Sequence, residues 1–109
     1  MPEQERAAAL EALSAAGYLD DARFAKERAR LLAVRGLAND AIRFDLERRG
    51  VERQLIEDAV ALLTPEAERA RAVAATAGGG VRAARALARK GFPAEVIEPI
   101  AHEARAELR

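Results

Sequence analysis

Apolar and charged positions separate by helical spacing along much of the chain. Between Asp21 and Arg35, Phe24, Leu31 and Leu32 fall along one side of a helix, while Arg23, Lys26 and Arg30 take another at i, i+3 and i+7. Ile42 and Leu46 form the apolar strip of the next segment, with Phe44 on its opposite side. From Val81 to Lys90 a second basic stripe appears, Arg82, Arg85 and Arg89. The segments between are built from Ala, Leu, Arg and Glu, strong helix formers with little β-branching. Glycine punctuates them at Gly17, Gly36, Gly50, Gly78 to Gly80 and Gly91. The pattern predicts an all-α protein.

The stretch GYLDDARFA, Gly17 to Ala25, raises the question whether its adjacent carboxylates are chemical or architectural. Gly17 stands where a helix would end in a left-handed C′ residue, which glycine adopts without a Cβ clash. Asp20 then reads as the N-cap of the next helix and Asp21 as its first residue, facing the positive end of the dipole. Leu19 at N′ and Phe24 at N4 would close a hydrophobic staple. The two acids read as architecture. Similar start signals follow at Asn39-Asp40, at Thr64-Pro65-Glu66 with proline at N1, and at Gly91-Phe92-Pro93.

The chain also repeats itself. Leu46-Glu-Arg-Arg-Gly-Val-Glu-Arg-Gln-Leu-Ile56 aligns with Leu87-Ala-Arg-Lys-Gly-Phe-Pro-Ala-Glu-Val-Ile97, with a leucine, two basic residues, a glycine and a branched pair at the same spacing. Residues 19–63 and 64–109 therefore read as two tandem three-helix units, and residues 1–18 as the last helix of an incomplete unit in front. One such unit buries too little to stand alone, so stacking must supply the missing contact. The expected shape is an elongated array.

Composition narrows the function. A length of 109 residues allows one domain or a short array. Half the residues are apolar but many are alanine, and aromatics make up 4%, so each helix buries a thin strip. The absence of cysteine removes disulfides and thiolate zinc sites. With no secretory segment and no apolar run near the length of a membrane span, the expectation is a cytoplasmic protein that does not engage membranes. Net charge is zero, which argues against a simple polycation. Yet Arg69, Arg71, Arg82, Arg85, Arg89 and Lys90 lie in an acid-free window from Arg69 to Ala94, whereas Glu3, Glu5, Glu11, Asp20 and Asp21 face a single Arg6 near the start. Such segregation predicts one basic face turned toward an anionic partner.

The basic stripes would follow phosphates or an acidic groove; otherwise they are solvated faces trimmed by pairs such as Arg23 with Glu27. Phe44 either packs against a neighbouring repeat or serves as an exposed anchor for a partner, and Tyr18 reads as an inter-repeat anchor. Ala77 to Gly80 has the glycine content of a phosphate cradle but lacks the Gly-Lys-Ser/Thr ending. It reads as a connector that lets the last repeat reorient. His102 has Glu98 one turn before it, too little for a metal, and Ser14 and Thr76 have no base in reach. No catalytic role, cofactor or metal is expected. Pro99 interrupts the last helical segment and removes one N–H from it.

Together GYLDDARFA, Ile42-Arg-Phe-Asp-Leu-Glu-Arg-Arg-Gly-Val51 and Leu87-Ala-Arg-Lys-Gly-Phe-Pro-Ala-Glu-Val-Ile97 resemble the RecX regulatory proteins, bacterial modulators of the RecA recombinase, as a divergent or N-terminally shortened member. The resemblance extends over about residues 10–101. It implies a curved array of tandem three-helix repeats lying in the groove of the RecA filament on DNA. There the protein would inhibit ATP hydrolysis and strand exchange, and so affect homologous recombination, DNA repair and the SOS response, without catalysis of its own. On this reading Arg23, Lys26, Arg30, Arg48, Arg49, Arg82, Arg85, Arg89 and Lys90 face RecA or single- or double-stranded DNA. Gly17, Tyr18, Leu19, Asp20, Asp21, Phe24, Gly50 and Gly91 shape the repeats. A stand-alone DNA-binding module and a structural helical adaptor are the alternatives.

Overall fold

The alanine- and leucine-rich segments form six helices in the computed structural model, which describes residues 2–107: α1 Glu3–Val34, α2 Asn39–Arg48, α3 Arg53–Ala61, α4 Glu66–Ala77, α5 Gly80–Arg89 and α6 Ala94–Glu107. Residue 1 of the 1–18 segment and residues 108 and 109 of the 64–109 segment lie outside the described residues. Among the described residues there is no strand. Pro99 lies inside α6.

One leucine and one glycine end three of these helices in the same way. At the end of α2 the Gly50 N–H donates to Glu47 O and the Val51 N–H to Leu46 O. At the end of α5, Gly91 donates to Ala88 O and Phe92 to Leu87 O. Gly36 and Leu37 close α1 identically on Ala33 and Leu32. This is the Schellman arrangement, with a left-handed glycine at C′ and an apolar residue after it folding back on the leucine. Gly50 and Gly91 have φ of 80° and 92°, a region other residues enter at a cost. The internal repeat read in the sequence is thus a repeated helix stop.

The first stop signal, however, is not used. α1 runs without a break through Gly17, Tyr18, Leu19, Asp20 and Asp21, so Gly17 is not a C′ residue and Asp20 is not an N-cap. Gly17 is absent from the glycines with positive φ, and a Cβ placed on it would meet nothing within 4 Å. An interior glycine costs about 1 kcal/mol against alanine. Nothing packs there to force a bend, and a break would forfeit several backbone hydrogen bonds. The staple is therefore not formed: Leu19 and Phe24 are exposed, as is Tyr18, which anchors no repeat. The boundary read between residues 18 and 19 falls inside α1. Two further starts shift by one residue, since the N-caps of α2 and α4 are Ala38 and Pro65, neither with a side-chain cap bond.

Two apolar clusters hold the folded part. The first joins the second half of α1 to α2 and α3 through Leu32, Ile42, Leu46, Ile56 and Val60, with Ala25, Ala29 and Ala59. The second joins α4, α5 and α6 through Leu87, Phe92 and Ile100, with alanines at 70, 74 and 83, and takes in Ala38 from the α1–α2 loop. The first half of α1 touches neither cluster and is exposed from Glu3 to Asp21. The molecule measures 77 × 19 × 18 Å, with a radius of gyration of 19.4 Å against about 13 Å for a compact chain of this length. Much of the elongation comes from this projecting half of α1.

The two three-helix units meet through polar groups as well as alanine. Arg69 of α4 is buried, and its Nη1 donates to Asn39 Oδ1 and Thr64 O at 2.9 and 3.0 Å, its Nη2 to Leu37 O at 3.0 Å. Glu66 Oε2 accepts the Asn39 N–H at 2.7 Å, so the start of α2 is capped by the next unit. The Ala38 N–H donates to Lys90 O at 2.9 Å, and Lys90 Nζ donates to Arg35 O at 3.0 Å. Gly78 and Gly79 connect α4 to α5 inside the second unit. The expectation that they let the last repeat reorient is therefore corrected, because the joint between units is this polar clasp.

Candidate partner-binding surface

The structure divides the predicted cations into free and committed groups. Arg23, Lys26 and Arg30 lie exposed on α1, and among the described residues Arg23 makes no ion pair with Glu27. Arg82, Arg85 and Arg89 are exposed on α5, again with no ion pair among the described residues. α5 holds its buried Ala83 and Leu87 on one side, which leaves the arginines at i, i+3 and i+7 on its wet face. Among the described residues Arg48 makes no ion pair either, and its guanidinium carbon sits 5.7 Å from the centre of the Phe44 ring. Phe44 is 61% exposed, so it packs against no neighbouring repeat.

Arg49 and Lys90 are engaged within the fold. Arg49 Nε donates to Asp45 Oδ1 at 2.9 Å, and Lys90 closes the joint described above. Asp45 also receives Arg28 through two parallel bonds of 3.0 Å, Nε to Oδ1 and Nη2 to Oδ2. The Arg28 hydrogen bond, seconded by Arg49, holds the Asp45 carboxyl below the usual carboxylate range, and the same bond raises Arg28. Arg43 donates to Glu57 at 3.0 and 3.3 Å and to Asp40 at 2.9 Å, and is raised chiefly by Glu57. In the acid-free window, Arg71 reaches Glu103 at 3.4 Å and Arg69 is buried, its pKa pushed down by burial. Those two do not join the stripe on α5.

Sequence reasoning missed the roles of Arg28, Arg43 and Arg69. The Arg43–Asp40 pair was legible as an i, i+3 spacing. The partners of Arg28 and Arg69 lie 17 and up to 32 residues away, and no local spacing announces them. His102 is exposed, and among the described residues no group of three acidic, histidine or cysteine side chains is placed to hold a metal. Among the described residues no helix is long and apolar enough to cross a membrane.

A scan of family models matches residues 20–60 to the RecX second three-helix domain. Neither a curated protein nor a solved structure matches the chain. The matched residues take in the latter half of α1, all of α2 and nearly all of α3, which share the first apolar cluster. A three-helix unit closed by its own core thus coincides with the matched span, and over residues 20–60 the chain is similar to the RecX second three-helix domain.

Proposed function

We propose that this protein regulates the RecA recombinase filament on DNA, binding it without catalysis and inhibiting its ATP hydrolysis and strand exchange. The observation that supports the reading is the match of residues 20–60 to the RecX second three-helix domain, over a span that folds as a closed unit. RecX proteins form a family of non-enzymatic regulators. Under this proposal the protein works in the cytoplasm on recombination, DNA repair and the SOS response. The two three-helix units act as tandem repeats behind the projecting first half of α1. Arg23, Lys26 and Arg30 on α1 and Arg82, Arg85 and Arg89 on α5 supply the cationic contacts, and Arg48 with Phe44 adds an amphipathic one.

The test is RecA's DNA-dependent ATPase titrated with this protein. Inhibition should grow with added protein and be lost on charge reversal at Arg82, Arg85 and Arg89 with helicity intact. Unchanged ATPase at equimolar protein overturns the reading. Exposed, unpaired arginines also suit a stand-alone DNA-binding module. That alternative requires binding to bare DNA that falls steeply with salt.

A further inference from the structure

The joint between the two units carries a groove of which the regulatory reading uses Arg30 alone. One cleft of about 330 Å³ is lined by Arg30, Ala33, Val34, Leu62, Leu63 and Arg69, with Thr64 beside them. A second, of about 360 Å³, shares Ala33, Val34 and Arg69 and continues to Arg35, Val73 and Lys90. The shared residues make the clefts one trough along the junction. No carboxylate lines either part, although the whole chain has as many acidic as basic residues. Four cationic residues from α1, α4 and the end of α5 converge there. Between them lie apolar side chains left in water: Val34 is 81% exposed and Leu62 69%.

The cations do different work. Arg69 has committed both Nη atoms to neutral oxygens, and its Nε is covered without a partner. Its poorly solvated charge sets a positive potential at the floor. Lys90 is held by Arg35 O at one end. Arg30 and Arg35 form no side-chain bond among the described residues, so their guanidinium forks are free for carboxylates.

We infer that this groove binds an acidic peptide segment, with carboxylates on Arg30 and Arg35 and apolar side chains against Val34 and Leu62. The apolar lining decides between anions. A phosphodiester backbone would satisfy the arginines but gain nothing by covering valine and leucine. A peptide carrying both glutamate and leucine removes that apolar area from water and meets the charge at once.

The probe is a short fluorescein-labelled peptide of alternating Glu and Leu, titrated into the full chain and followed by anisotropy. Saturable binding is expected, weakened at least about tenfold by R30E with R35E and less than about twofold by R6E with R53E, exposed arginines away from the groove. In the unmutated chain the peptide should shift the methyl resonances of Val34 and Leu62, a readout that does not depend on any variant folding. Absence of saturable binding, equal loss in both double variants, or unmoved methyl signals overturns the inference. So does a mixed-sequence oligonucleotide that displaces the peptide and moves the same methyls, since that would make the trough a phosphate site. RecA is absent from these measurements, so this inference and the proposed function fail separately.

Discussion

The two three-helix units share a helix stop and differ in nearly everything their side chains do with it. In the first, Leu46 and Gly50 end α2 and three arginines are tied to acids of the same unit, Arg28 and Arg49 to Asp45 and Arg43 to Asp40 and Glu57. In the second, Leu87 and Gly91 end α5 by the same two backbone bonds, yet among the described residues Arg82, Arg85 and Arg89 meet no acid. The cores differ in the same sense. Five Leu, Ile and Val side chains anchor the first cluster, whereas alanines make up the majority of the second. A buried Leu or Ile is worth about 1.5–3 kcal/mol and an alanine methyl far less. One backbone grammar therefore supports a unit with a larger-residue core and ion pairs tying its helices together, and another with an alanine-rich core and a separate arginine stripe on α5.

The largest effect that can test this contrast is cavity formation. Leu46→Ala and Leu87→Ala remove equivalent, fully buried side chains, and each should cost about 2–5 kcal/mol by urea denaturation. Their consequences should differ in place. With its thinner core, the second unit should lose amide-exchange protection across α4–α6 in Leu87→Ala while α2 and α3 keep theirs. Uniform loss along the chain would show one cooperative body and erase the comparison.

A smaller effect separates the two glycines. Alanine at Gly50 or Gly91 must hold a left-handed φ, at a cost of about 1–2 kcal/mol. At Gly50 the space is open, whereas at Gly91 a Cβ would stand 3.1 Å from Ala41 Cβ across the joint between units. Gly91→Ala should therefore destabilise more than Gly50→Ala in parallel melts. Equal shifts would mean that the joint yields freely.

The smallest effect is electrostatic and confined to the first unit. The folded pKa of Asp45 lies below its ordinary value because Arg28 and Arg49 bond to the ionised form. Its contribution is thus complete above the unfolded carboxylate value of about 4 and disappears as pH falls through the lowered folded value. Asp45→Asn should be less stable than the unmutated chain at neutral pH, and the gap should close in acid. A gap that persists in acid would assign the loss to packing and not to charge.

Much of the fold was legible because its signals are local. Helix-forming composition, glycine stops and the Leu–Gly spacing act within a few residues, and they yielded the helices α2 to α6 and the repeated ending of α2 and α5, while the two helices expected before Gly36 are the single α1. The reading failed at Gly17–Asp21, where a stop signal was present but no packing partner turned it into a bend. It failed again at Tyr18, read as an inter-repeat anchor but left exposed, and of the two readings of Phe44 the structure leaves the exposed one. Of the candidate site, the stripes on α1 and α5 were visible as helical spacing, but spacing cannot tell a free arginine from one claimed by a distant acid.

The sequence by itself determined helix content, the positions of the working stops, the balance of charge and the segregation of cations, because each depends on neighbours within a turn or two. Tertiary structure alone decided which cations remain free. Arg69, read as part of an open basic stretch, became the buried clasp between units, since oxygens from Leu37, Asn39 and Thr64 converge on it after folding. A guanidinium needs oxygens at fixed angles to leave water, and those oxygens come together only when two units, each built by local rules, close on one another.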